Sequence, residues 1–324
     1  MSPGRTLLLL LRWGIFLLAC AHIYTQLASA KGNQSLHALW ALLKGHQLSI
    51  VISAVLLLML VNWWIEAVKW RSLLRPVAPI GRAKAFIATI AGTSIALVTP
   101  NRTGEFVGRV MFLEPHERVK GAVVTMLGGF AQFIITLLAG AIALVFISRA
   151  PWEEGFVRPM LGALATLSCA LAFVSLVFYT SPNLLLNLSI RLPFIRRWHS
   201  DLVVLAQFRR PALMNALLLS ALRYVVFWAQ FVLLLTTIPG GTGMLDAVIG
   251  VPVILLVSSI IPTVLLTELG VRGSVALAVL EPAGAVETSV LLASFTLWTI
   301  NLMIPAAAGS LILLSARIRT SRNQ

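Results

Sequence analysis

Long apolar runs separated by short charged stretches set the pattern of this chain. Runs at residues 7–28, 48–68, 121–147, 159–179, 212–238 and 286–314 each reach the roughly 20 residues that cross about 30 Å of hydrocarbon. Each therefore predicts a membrane-spanning helix. Two further apolar stretches behave differently. Residues 85–98 are short and rich in Gly, Thr and Ser, and they lead into Thr99-Pro100-Asn101-Arg102-Thr103-Gly104-Glu105-Phe106-Val107-Gly108-Arg109. Residues 245–261 lead into Pro262-Thr263-Val264-Leu265-Leu266-Thr267-Glu268-Leu269-Gly270-Val271-Arg272-Gly273, and the apolar pattern resumes at 275–280. Each break combines a proline, a threonine, a glutamate, an arginine and glycines. The expectation is a hairpin that enters and leaves the membrane on one side, tolerated at depth only where it lines a cavity or is buried in protein.

The expected fold is an all-α polytopic membrane protein with about six full spans and two opposed re-entrant hairpins. If both arms of each hairpin cross, the count becomes eight spans, and the loop charges fit either version. Lys69, Arg71, Arg75, Arg82 and Lys84 lie in a stretch without an acidic residue, which the positive-inside rule places in the cytoplasm. The N-terminus then lies inside, as does the tail with Arg317, Arg319 and Arg322. Residues 149–154 and the turn Pro239-Gly240-Gly241-Thr242-Gly243 face outward. The basic segment 181–211 reads as an amphipathic cytoplasmic surface element or as a plain basic loop. The run at 7–28 ends in Ala28-Ser29-Ala30, which looks like a signal-peptidase site. It is nevertheless longer than a secretory apolar core of about 7–15 residues, so an uncleaved first span is expected. Taken in order, residues 1–150 form one repeat and 151–324 a second, inverted one within a single membrane domain. Such repeats underlie many alternating-access transporters, whose interrupted segments meet near the midplane.

Composition supports the membrane assignment. The chain is 59% hydrophobic and 11% charged, with a mean hydropathy of +0.93, against roughly 25% charged in soluble domains. The net charge of +14 is spread over short loops, which suits anionic lipid headgroups and argues against nucleic acid as a partner. Cys20 and Cys169 lie inside apolar runs and imply no disulfide. His22, His37, His46, His116 and His199 are dispersed without metal-ligand spacing. No phosphate-binding loop, nucleophile elbow or HExxH motif occurs, and no cofactor is expected.

The candidate chemistry lies in the breaks. An ionised side chain at the centre of a membrane helix costs about 2.5–3.5 kcal/mol, so Glu105, Arg109, Glu268 and Arg272 need compensation. Glu105 and Arg109 are four apart in the favourable order, and Glu268 and Arg272 repeat the spacing. Each pair either clamps its own hairpin or belongs to a binding site. In the second case Arg102, Arg109 and Arg272 hold an anionic headgroup, because the guanidinium fork matches two phosphate oxygens. Glu105 and Glu268 then take a proton, a cation or an ammonium. Pro100, Asn101, Gly104, Gly108, Gly270 and Gly273 support the backbone or allow close packing. Elsewhere, Glu66 is expected to snorkel with Lys69 beside it. Arg223 reaches the headgroups or a cavity, and Asn62 and Asn301 hydrogen-bond across helices.

Pro100, Arg102, Gly104, Glu105 and Arg109 together resemble the signature of the flippase-like family, the transmembrane region of lysylphosphatidylglycerol synthases. The stretch from Glu268 to Gly273 resembles the family's second motif, but Pro262-Thr263 and Leu265-Leu266 stand where Pro-Gly-Gly is usual. The soluble acyltransferase-like domain of the synthesising members has no counterpart in these 324 residues. The resemblance thus implies a non-enzymatic protein of the cell membrane that binds or moves an anionic or phosphate-bearing lipid. The alternative is a scaffold for a separately encoded enzyme, alone or as a homo-oligomer. A membrane-embedded transferase fits poorly, because Asp201 and Asp246 are far apart and no paired aspartates are present.

Overall fold

A computed structural model describes residues 46–97, 99, 102–149, 157–181, 184, 186, 202–261 and 268–315. The expected first span, Pro100, Asn101, most of the basic segment, residues 262–267, the side chain of Glu268 and the C-terminal tail lie outside the described residues. Every regular element among the described residues is helical. In chain order these are α1 (His46–Leu74), α2 (Arg82–Leu97), α3 (Gly104–Val110), α4 (Arg118–Ser148), α5 (Val157–Thr180), α6 (Arg210–Thr237), α7 (Met244–Ile260) and α8 (Glu268–Leu280). The last span is α9 (Glu287–Trp298), a π turn (Thr299–Met303) and α10 (Ile304–Ser315).

Among the described residues, five stretches are long and apolar enough to cross a membrane: Leu48–Leu74, Pro115–Ser148, Pro159–Thr180, Arg210–Thr237 and Glu287–Ser315. Large apolar side chains on their surfaces, among them Leu57, Phe146, Leu167, Phe173 and Leu218, are more than 60% exposed. Water penalises a belt of this kind and lipid does not. The chain is an all-α polytopic membrane protein. The helix α1 runs past the expected end at residue 68, carrying Lys69 and Trp70 into the interior at 1% exposure each. An apolar-run boundary stops at the first lysine, whereas the structure buries Lys69 because Glu66 neutralises it.

The two break-bearing stretches pack differently from the spans. The helix α2 has 16 residues and α3 has 7, or about 24 Å and 10 Å at 1.5 Å per residue. They are stacked face to face, and α2 in turn lies on α10. The close approach depends on glycine. A Cβ on Gly108 would stand 2.6 Å from Gly92 Cα, and one on Gly309 of α10 would run into the Ile90 carbonyl. Ser94 Oγ then donates to the Ala306 carbonyl at 2.7 Å, closing the α2–α10 seam. At the turn into α3, the Thr99 hydroxyl accepts from the Gly104 N–H at 2.7 Å and donates to the Ile95 carbonyl at 3.0 Å. Arg102 takes a left-handed φ of 58°, a conformation costing a non-glycine residue about 1–2 kcal/mol. The second stretch pairs α7 with α8, and α8 packs on α9. The expected turn after α6 forms with the Val286 N–H on the Gly240 carbonyl at 2.8 Å and Ser289 Oγ on the Pro239 carbonyl at 2.6 Å.

The core has three main parts. One joins α1, α6, α7, α8 and α9 around Trp63, Phe231, Ile254 and Leu297. A second lies around Trp70, Leu74, Tyr179 and Leu213, where Leu205 and Phe208 anchor the end of the basic segment. A third fills the gap between α4, α5 and α7. Between the first two parts lies a layer of buried charge.

Candidate functional site

Asn62, Glu66 and Lys69 are spaced to share one face of α1. That face meets α3 and α6. Glu66 Oε1 accepts from Arg109 Nη1 at 2.9 Å, while Glu66 Oε2 is met by Lys69 Nζ at 2.8 Å and by Arg223 Nη1 at 3.1 Å. Arg109 also pairs with Glu105, one turn earlier on α3. Three cations from three helices thus converge on two carboxylates, with a net charge of +1. Arg102, half-buried at the mouth of α3, is a further positive charge acting on Glu105.

The surroundings hold the cluster in place. The Arg109 guanidinium lies 5.8 Å from the centre of the Trp70 ring, and Arg223 lies 5.4 Å from that of Trp63. Cation–π contact of this kind gains about 2 kcal/mol or more where water is excluded. Trp70 is itself fixed by its Nε1 donating to Thr125 Oγ1 at 2.9 Å. Lys69 Nζ also donates to Ser220 Oγ at 3.3 Å. A polar chain leads away from Arg223: its Nε donates to Asn62 Oδ1 at 3.0 Å, Asn62 Nδ2 to Asn301 Oδ1 at 3.4 Å, and Asn301 Nδ2 to the Leu297 carbonyl at 3.2 Å. The charge cluster is thereby tied to the π turn of the last span. Exposure is graded: the Lys69 and Arg109 side chains are 1% and 2% exposed, against 19% for Arg223 and 20% for Glu105. The cluster reaches the surface on the side of Arg223 and Glu105.

The expected Glu105–Arg109 pair forms, but it is not a closed clamp, because Arg109 spends its other arm on α1. Gly104 supplies a capping N–H and Gly108 the close approach to α2. In the second break the Arg272 guanidinium lies 5.9 Å from the centre of the Phe227 ring on α6. Phe227 is one helical turn beyond Arg223, so the second break meets the same stripe of α6 from which Arg223 reaches Glu66 and, through it, Arg109 of the first break. Gly270 faces open space, and a Cβ on Gly273 would touch Leu291 at 3.0 Å. No group of three His, Cys, Asp or Glu side chains able to hold a metal is found among the described residues.

Glu66 departs most from the expectation drawn from the chain. It does not snorkel with Lys69. It is buried and joins three helices through its two oxygens. Arg223 turns inward to it instead of reaching the headgroups. The signal in the sequence was the Asn62, Glu66, Lys69 spacing, which puts three polar groups on one face of an otherwise apolar helix.

No curated protein and no solved structure matches the chain in sequence or structure comparison. The family described as Lysylphosphatidylglycerol synthase TM region matches residues 8–311, and with nearly its full length covered the chain belongs to that family.

Proposed function

We propose that this protein binds a phosphate-bearing membrane lipid by its headgroup and moves it between leaflets, without catalysing a covalent step. The observation that carries the reading is an excess of positive charge buried in a membrane-spanning bundle, open to the surface beside Arg223 and Glu105. A buried cation without a matching anion is costly, and an anionic headgroup supplies the missing charge. Arg109 and Arg223 present guanidinium forks, and Arg102 and Arg272 extend the same sign toward the two breaks. Glu105 and Glu268 are the groups for a proton, a cation or a headgroup ammonium. The family name concerns lysylphosphatidylglycerol, which likewise carries a phosphate, beside the ammonium groups of its lysyl ester.

The re-entrant reading of both breaks, the inverted repeat and the cytoplasmic termini belong to this proposal. Their support is the shortness of α3, the link of both breaks to one stripe of α6, direct for Arg272 and through Glu66 for Arg109, and the basic residues Arg71, Arg75, Arg82 and Lys84 around the α1–α2 loop. The test is reconstitution in vesicles with fluorescent phosphatidylglycerol or phosphatidylcholine in one leaflet. Transfer of the anionic lipid by the wild type, lost in a folded Arg109→Lys variant, is the expected result. A wild type that transfers neither lipid, yet holds a membrane partner through Arg109→Lys, would replace transport with the scaffold reading.

A further inference from the structure

Glu66 attracts more cations than its single charge requires. Lys69 is three residues away on the same helix, so that pair survives any movement between helices. Arg109 keeps a second anion, Glu105, on its own helix. The bonds from Arg109 and Arg223 to Glu66 cross between helices, and neither is needed to keep Glu66 neutral. They are the bonds that a competing anion exchanges at least cost. The geometry suits such an exchange, because two carboxylate oxygens and two phosphate oxygens present the same edge to guanidinium groups. Arg109 Nε, buried with no acceptor among the described residues, adds a donor for a third oxygen. Arg223, the more exposed of the two arginines, stands on the side from which a ligand arrives.

We infer that Glu66 is a built-in counter-anion: it occupies, between Arg109 and Arg223, the place that the lipid phosphate takes on binding. This rests on the lipid-binding reading above. Binding is then an exchange of anions. As the phosphate enters, Glu66 withdraws to Lys69, and Arg109 and Arg223 pass to the ligand. Release reverses the swap, so Arg109 and Arg223 each keep a carboxylate or phosphate oxygen to face in the membrane interior. A permanent structural tie at Glu66 makes the opposite prediction, since loosening it would only damage the site.

The experiment uses the full chain in phosphatidylcholine nanodiscs titrated with phosphatidylglycerol. Glu66→Gln removes the counter-anion and keeps its shape. Glu66→Gln with Lys69→Met removes one charge of each sign, leaving the cluster at its original net charge. Both are expected to bind phosphatidylglycerol at least tenfold more tightly than the wild type. Equal or weaker binding in variants that keep the wild-type melting temperature overturns the exchange, while wild-type binding leaves the lipid reading intact. A wild type with no preference for phosphatidylglycerol overturns both. If neither variant folds, carbodiimide labelling of Glu66 in the wild type decides. Under exchange the label, mapped by mass spectrometry, rises as phosphatidylglycerol is added; a flat or falling label overturns the inference.

Discussion

Arg109 holds two carboxylates from two elements, and its surroundings leave little room for water. Arg109→Ala strands Glu105, while Glu66 keeps Lys69 and Arg223; breaking a buried pair from one side costs about 3–5 kcal/mol. Thermal unfolding in detergent is expected to show that loss as a clear drop in melting temperature. Arg109→Lys keeps the charge but offers one point donor in place of a fork. Its expected effect is at least a tenfold loss of phosphatidylglycerol binding with a smaller loss of stability, read by titration and melting on the same sample. Arg223→Ala removes a guanidinium that is 19% exposed but donates to buried Asn62 and covers Trp63. A modest fall in melting temperature is expected, while lipid binding falls as far as in Arg109→Lys; unchanged binding would remove Arg223 from the site. At this scale the sequence showed Glu105 and Arg109 as partners, because an i, i+4 pair is a local relation. It did not show Glu66 as their hub, because Glu66 and Arg109 are 43 positions apart and no periodicity connects them.

The hairpin of α2 and α3 depends on small residues where two backbones approach. Gly108→Leu would push a side chain into Gly92 and lift α3 from α2. The expected outcome is loss of lipid binding with helical content retained by circular dichroism, together with faster labelling of a cysteine at position 103. The π turn has a different cause. Pro305, one residue into α10, has no N–H to offer the Asn301 carbonyl, and the Ile304 N–H bonds Thr299 five residues back. The widened turn presents Asn301 to Asn62 and through it to Arg223. Asn301→Leu leaves the Asn62 amide without that acceptor, and a buried polar group left unsatisfied costs about 1–3 kcal/mol. A modest fall in melting temperature with weakened lipid binding is the expected result. The long elements themselves were legible: five expected spans appear where the apolar runs placed them, because run length against membrane thickness is a property of the chain alone.

At the scale of the whole molecule, α6 links the two breaks: Arg223 reaches Arg109 of the first through Glu66 of α1, and Phe227 one turn on meets Arg272 of the second. The opposed entry of the two breaks can be tested with single cysteines at positions 103 and 269, in a background lacking Cys20 and Cys169. An impermeant reagent is expected to label position 103 from the cytoplasm and 269 from outside. Labelling of both from one face would end the inverted-repeat proposal, whatever the lipid-binding experiments show.

What the sequence determined by itself was the medium and the elements suited to it. Apolar runs of spanning length, sparse charge and basic loops follow from composition and order, and each acts over a few residues or a single helix. The short arm with Glu105 and Arg109 belongs to the same class of local facts. Only the tertiary structure decided which charges neutralise one another. A buried ion pair needs atoms within a few ångströms, and here that proximity comes from α1, α3 and α6 packing together, with glycines admitting the hairpin and tryptophans walling the cluster. In their own stretches of chain Glu66 and Lys69 read as a local pair and Arg223 as reaching headgroups or a cavity; the packing of three helices places all three in a single cluster with Arg109.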